Sequence, residues 1–133
     1  MMELKKVMIV EDNLLLSIVE ERMVKKLGFE VVGKAMSGEE ALAKINKVRP
    51  EILIMDIQLA GTLDGIETVQ QIRKDKNDIP VVFLSGNNDS NLLEKAKKLN
   101  CIDFLIKPVT ASILLEPLER ASEMSDKKSP HAA

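Results

Sequence analysis

Two periods alternate in the pattern of apolar and polar positions along the chain. Short apolar runs, largely β-branched, recur at "KVMIV" (6–10), "EVVGK" (30–34), "ILIM" (52–55), "PVVFL" (80–84) and "DFLI" (103–106), as central strands require. Between them the period lengthens to that of a helix. Leu16, Val19, Met23 and Leu27 fall on one face, as do Ala41, Ile45 and Val48, then Ile66, Val69 and Ile72, then Leu92, Ala96 and Leu99, spaced three or four apart. Ser37 with Glu40 reads as a capping box, Gly28 as the stop of the first helix and Thr110 as the cap of the last. The pattern predicts five strands alternating with five helices.

Strand, helix, strand repeated in this way implies right-handed crossovers and a parallel sheet covered on both faces. The predicted class is α/β, a doubly wound five-stranded parallel sheet. Alternation alone does not order the strands, and the flavodoxin-like order 2-1-3-4-5 is the common arrangement at this size. The domain is expected over residues 3–124. The stretch "SDKKSPHAA" (125–133), polar and without a period, reads as a disordered tail, and His131 within it as no ligand. Pro117 falls inside "ILLEPLERA". An interior proline deletes a helical hydrogen bond and clashes with the preceding turn, at about 3 kcal/mol, so a kink or restart is expected near Glu116.

Length and charge narrow the function classes. At 133 residues and 45% hydrophobic content, the chain suits one domain with a real core. The net charge of −2, from 19 basic and 21 acidic residues, supplies no basic stripe for nucleic acid phosphates. Apolar runs such as "VMIV" and "VVFL" are far shorter than the roughly 20 residues that span a bilayer, and "MMELKK" leads into no signal-peptide core. The protein is expected to be cytoplasmic. Cys101 is the only cysteine, which rules out an internal disulfide and argues against a cysteine zinc site.

In an open parallel sheet the site lies beyond the carboxyl ends of the strands. Glu11 and Asp12 follow the first run, Asp56 the third, Ser85 the fourth, and Lys107 with Pro108 the fifth. Asp56 closes the buried run "ILIM", where an unpaired carboxylate is costly. Three converging carboxylates repel one another unless a cation compensates. Oxygen ligands without histidine or cysteine favour Mg²⁺ or Mn²⁺ over zinc, and Mg²⁺ commonly shares its shell with a phosphate. Lys107 can pair with a phosphoryl oxygen and Ser85 can donate to another. A carboxylate can itself be the nucleophile and form an aspartyl phosphate.

Taken together, "VMIVEDN", "ILIMDIQLAGTLDGIE", "VVFLSG" and "DFLIKP" resemble the receiver domain of two-component response regulators, the CheY-like family, over roughly residues 3–124. The resemblance implies that Asp56 is the phosphoacceptor. It implies Asp12 and Asp56 as direct metal ligands, Glu11 acting through a metal-bound water, and the backbone carbonyl of Gln58 as a further ligand. Ser85 would bond a phosphoryl oxygen, Lys107 would pair with Asp56 and then with the phosphoryl group, and the Lys107–Pro108 bond would be cis. Gln58 and Asn87 match positions that tune hydrolysis, and Ser85 with Phe104 match the switch pair. The implied donor is a phosphohistidine on a sensor kinase or phosphotransfer protein. The implied output face is helix 4, strand 5 and helix 5, acting on a downstream protein as a monomer or weak dimer, and the only catalysis is of its own phosphorylation and dephosphorylation. Ala60 stands where a proline is common, the loop before Asp64–Gly65 has one residue more than the family's usual loop, and Phe104 replaces a more frequent tyrosine.

Each residue alone has an ordinary explanation. Glu11 and Asp12 could cap the first helix, Ser85 could be a loop hydroxyl, Lys107 a solvated charge and Phe104 a core residue. Asp64 before Gly65 reads as a turn and cap residue. Three rival functions remain. A receiver fold could serve as a constitutive, unphosphorylated interaction module. A phosphatase using an aspartyl phosphate would need a second acid that "DIQL" lacks. A flavin or nucleotide binder would need a glycine- or hydroxyl-rich loop where "EDNLLLS" presents carboxylates.

Overall fold

The computed structural model describes residues 3–127. Ten elements alternate: β1 (Lys6–Val10), α1 (Leu14–Lys26), β2 (Glu30–Ala35), α2 (Gly38–Val48), β3 (Ile52–Asp56), α3 (Gly65–Lys74), β4 (Val81–Ser85), α4 (Ser90–Lys98), β5 (Asp103–Ile106) and α5 (Ala111–Lys127). The strands form one parallel sheet ordered β2-β1-β3-β4-β5. The strand order that the alternation left open is therefore the flavodoxin-like one.

Period two along the strands divides the core between the faces. Met8, Val10, Leu53, Met55, Val81 and Phe83 meet Ile45, Ile66, Val69, Ile72 and Ala96 of α2, α3 and α4. Their neighbours Val7, Ile9, Ile52, Ile54, Val82 and Leu84 meet Val24 of α1 and Leu114, Leu118 and Ala121 of α5. Every residue of β3 and β4 is buried, which is why both read as unbroken apolar runs. Each large side chain so buried contributes about 1.5–3 kcal/mol.

The first helix departs from the pattern. Leu16 and Val19, placed by their spacing on the inner face, are 39% and 44% exposed, and the buried residues are Ser17, Glu20 and Val24. Met23 and Leu27 of the expected face do pack, in part, against the core. The apolar residues of α1 run round much of its circumference, so spacing did not fix which face docks, and the docked face carries a carboxylate.

The last helix also differs. α5 runs continuously through Pro117 to Lys127, without the restart expected near Glu116, and takes in Ser125, Asp126 and Lys127 of the expected tail. Pro117 lies on the buried stripe with Leu114, Leu118 and Ala121, and packing against the sheet offsets the missing hydrogen bond. At the far end the Asp126 carboxylate pairs with Lys5, which precedes β1. The pair is exposed and adds little; residues 128–133 of the expected tail, His131 among them, lie outside the described residues.

Caps follow the sequence with one change. Ser37 Oγ accepts from Glu40 N at 3.0 Å, but the Glu40 carboxylate reaches back to Met36 N at 2.7 Å instead of to Ser37, so the box is incomplete. The full reciprocal box is at Asp64 and Glu67, opening α3. Gly28 follows α1 at φ 96°, a conformation glycine adopts without steric cost. Thr110 Oγ1 accepts from Ile113 N at 3.3 Å at the start of α5.

Candidate functional site

Parallel strands deliver their carboxyl ends to one edge, and that edge collects the polar residues. Glu11, Asp12 and Asp56 each offer a carboxylate oxygen, and these atoms lie within 4.8 Å of one another. Glu11 is 1% and Asp56 2% exposed. The acids do not serve as caps: Asn13 caps α1 through its side chain, accepting from Leu16 N at 3.0 Å. Asn13 N also donates to Glu11 Oε2 at 3.2 Å, fixing that carboxylate.

Lys107, just beyond β5, reaches over the acids. Its Nζ lies 2.8 Å from Glu11 Oε1 and 3.1 Å from Asp56 Oδ1. The hydrogen bond goes to Glu11, and Asp56 Oδ1 has no aligned donor although it is buried. Lys107 therefore pairs with both acids and not with Asp56 alone. The Lys107–Pro108 bond is cis, as the resemblance implies.

Burial and charge set the titration of the cluster. Burial first, and Glu11 second, push Asp56 up to about 7 against the opposing pull of Lys107. Burial also opposes ionisation of Glu11, yet Lys107, Glu20 and the Asn13 N–H outweigh it and hold Glu11 below its ordinary value. Lys107 is likewise penalised by burial, but Glu11 and Asp56 raise it overall. The net arrangement is an anionic, largely buried cluster with Lys107 beside it, which a hard divalent ion would neutralise. All the donors are oxygens, one buried oxygen lacks an aligned partner and Asp12 is only half-buried, so the set suits an ion that keeps waters on its open side, such as Mg²⁺ or Mn²⁺.

Three residues that the sequence reading passed over support this cluster. Glu20 of α1 is 4% exposed, hydrogen-bonds Glu11, and leaves Oε1 without a partner. Burial, and then Glu11, raise it to about 9, so it is neutral beside its ionised neighbour. A helical period drawn through Ser17 and Val24 would have placed it inside. Gly65 packs on the backbone of Asp56: a Cβ there would stand 2.2 Å from the Asp56 carbonyl oxygen. Glu39 accepts from Thr62 N and Leu63 N at 3.4 and 3.3 Å, holding the loop between Asp56 and α3. In sequence Glu39 is indistinguishable from a favourable first-turn acid.

The same loop is tied to Asp12, whose Oδ2 accepts from Ala60 N at 3.0 Å. A proline at position 60 could not make that bond, having no N–H. Ser85 is fully buried at the end of β4, in the register that pairs Asp56 with Leu84. The side chain of Gln58 crosses to it, with Nε2 3.0 Å from Ser85 Oγ. Asn87 meets the same hydroxyl through its backbone, N at 3.1 Å and O at 2.9 Å. Phe104 is half-buried, beside Phe83 in the sheet and against the core under α4. Asp64 caps α3, as its position before Gly65 suggests. A cleft of about 760 Å³ at the opposite end of the sheet, lined by Pro50, Asp75, Ile79 and Pro80, lies away from the acids.

Comparison with known proteins agrees with this geometry. Residues 7–119 match the response regulator receiver domain. The chemotaxis protein CheY of Listeria monocytogenes is 33% identical over 118 residues, covering 89% of this chain and 98% of the relative. A probable C4-dicarboxylate response regulator, DctR, of Halalkalibacterium halodurans is 29% identical over 128 residues; the match takes in 96% of this chain but only 55% of that protein. Among solved structures, the signal receiver domain of a modulated diguanylate cyclase from Desulfovibrio desulfuricans superposes with TM-score 0.85 at 32% identity, covering 96% of this chain and all of that one. A chain matched over most of its length, folded in this strand order and gathering these acids at this edge, belongs to the response regulator receiver domains of phosphorelay signalling.

Proposed function

We propose that Asp56 accepts a phosphoryl group from a phosphohistidine on a sensor kinase or phosphotransfer protein, and that the modification switches the domain. The observation that carries the reading is the convergence of Glu11, Asp12 and Asp56 within 4.8 Å of one another, with Lys107 paired to Glu11 and Asp56. An Asp56 carboxylate oxygen attacks phosphorus, the P–N bond breaks and the imidazole leaves with the electron pair. Asp12, Asp56 and the Gln58 carbonyl would hold Mg²⁺, or Mn²⁺, with Glu11 acting through water. The ion supplies charge neutralisation to the acids and the transferring group. Lys107 moves its second contact from Asp56 to a phosphoryl oxygen, and Ser85 donates to another. Hydrolysis of the acyl phosphate resets the site, with Gln58 and Asn87 at the edge from which water comes. The catalysis is limited to the domain's own phosphorylation and dephosphorylation.

The donor has to bring its phosphohistidine to this edge, and α1 begins immediately beside Asp12. Leu14 and Leu15, 61% and 69% exposed, with Ile18 and Val19, form an uncovered apolar row there. Such a row fits the donor protein's landing surface. Output would pass through Ser85 and Phe104 to α4, β5 and α5 and onto a downstream protein, with the chain acting as a monomer or weak dimer. No helix of the described residues is long and apolar enough to cross a membrane.

The test is intact mass after incubation with Mg²⁺ and a small acyl phosphate. One phosphoryl is expected in the wild-type chain, and none with chelator or in Asp56→Ala. No gain in a folded, metal-binding protein would leave the constitutive interaction module as the better reading.

A further inference from the structure

The hydroxyl that the phosphoryl group has to recruit is already fully engaged. A serine hydroxyl has one hydrogen to donate and two lone pairs. Ser85 Oγ accepts from Gln58 Nε2 at 3.0 Å and from Asn87 N at 3.1 Å. Its own hydrogen has two acceptors in reach, Asn87 O at 2.9 Å and Gln58 Oε1 at 3.2 Å. The other end of the same amide is occupied as well, with Gly86 N donating to Gln58 Oε1 at 2.9 Å.

Gln58 is two residues past Asp56 on the β3–α3 loop, and its residue surface is exposed, yet its amide closes over a hydroxyl with no solvent exposure. One flexible side chain thus clamps both the switch hydroxyl and the backbone that follows it into the β4–α4 loop. Ser85 cannot donate to a phosphoryl oxygen without surrendering a bond it makes here. Nor can the β4–α4 loop shift without Gly86 losing its acceptor.

We propose that Gln58 is a resting-state latch, a positioning residue that holds Ser85 and Gly86 in the unmodified arrangement and has to let go for the switch to occur. The inference rests on the phosphoacceptor reading of Asp56 and adds the element that opposes activation. The latch stabilises the resting packing against the active one, so its strength sets how much of the unmodified protein is already switched. Losing a net hydrogen bond is worth about a fivefold change in such a population. Release is local, since the backbone of Gln58 need not move for its amide to turn away.

Two substitutions separate the hydrogen bonds from mere bulk. Gln58→Met keeps the length and volume of the side chain but cannot hold Gly86 N, and Gln58→Ala removes the side chain altogether. Hydrogen exchange of the Gly86 amide, read by NMR in the unphosphorylated proteins, should quicken about fivefold or more in both variants. Modification by a small acyl phosphate should accelerate in both over the wild type. An unchanged Gly86 exchange rate in both variants would overturn the latch. So would acceleration in Gln58→Ala but not in Gln58→Met, which would show that Gln58 acts only as an obstruction. Failure of the wild-type chain to gain a phosphoryl group would instead sink the phosphoacceptor reading, and the exchange rates would still report on the clamp.

Discussion

Glu20 shows what a single residue adds to the acid cluster. It holds a proton in the folded state because burial and Glu11 raise it from 4.5 to about 9. The unfolded chain loses that proton above about pH 4.5, so the stability from Glu20 is complete below that value and drains away as pH rises toward 9. Gln matches the protonated acid in shape without needing the proton. Glu20→Gln should therefore resist denaturant better than the wild type at pH 8, by on the order of 1–3 kcal/mol, and equally well at pH 4; equal midpoints at both pH values would contradict the assignment. Gly65 carries the opposite kind of prediction. A Cβ at 2.2 Å from the Asp56 carbonyl oxygen cannot be relieved by a side-chain rotation, so Gly65→Ala should cost about 1–3 kcal/mol in thermal or chemical unfolding. It should also slow modification of Asp56, whereas an unperturbed rate would show that the strand end tolerates the shift.

At the scale of elements, strands were the more legible half. β1, β3 and β4 are buried on both faces, so their runs are apolar whichever residue faces which helix layer, and nothing about orientation had to be guessed. Helices needed a face, and there the outcome divided. Ala41 and Ile45 of α2 and Ile66, Val69 and Ile72 of α3 are buried as their spacing implies. In α1 the spacing pointed to Leu16 and Val19, whereas docking buries Ser17 and Glu20 and leaves Leu14, Leu15 and Ile18 in solvent. The misreading is itself informative, because a helix that spends its best apolar residues on solvent has another use for them. If that row receives the phosphodonor, Leu15→Asp and Ile18→Arg should slow transfer from a phosphorylated donor protein by about tenfold. Both should be modified at wild-type rate by a small acyl phosphate. Equal loss with both donors would place the defect in the site and not in docking. α5 carries the remaining lesson: the local rule for Pro117 gives way where a buried stripe packs the helix against the sheet.

The whole molecule is a sheet that brings residues distant in sequence to one edge, and that convergence is why the chemical site was readable before any coordinate. Glu11, Asp12 and Lys107 follow a strand and Asp56 and Ser85 close one, so a correct alternation places all of them together. What supports them was less legible. The Gln58 clamp, the Glu39 hold on the loop and the neutral Glu20 depend on where side chains turn, which no period encodes. Because the folded chain alone assembles the acids, Mg²⁺ should bind it in preference to the unfolded state and raise its melting temperature with concentration. Asp12→Ala should abolish that rise, and an undiminished rise would place the ion elsewhere. The claim on which all of this depends is that Asp56 carries the phosphoryl group. The most direct measurement treats the Mg²⁺ and acyl phosphate reaction product with borohydride, which reduces an acyl phosphate to an alcohol, and maps the peptides by mass. Conversion of residue 56 to homoserine, absent without Mg²⁺, is the result predicted here; conversion at Glu11, Asp12 or any other acid, with Asp56 intact, would contradict it.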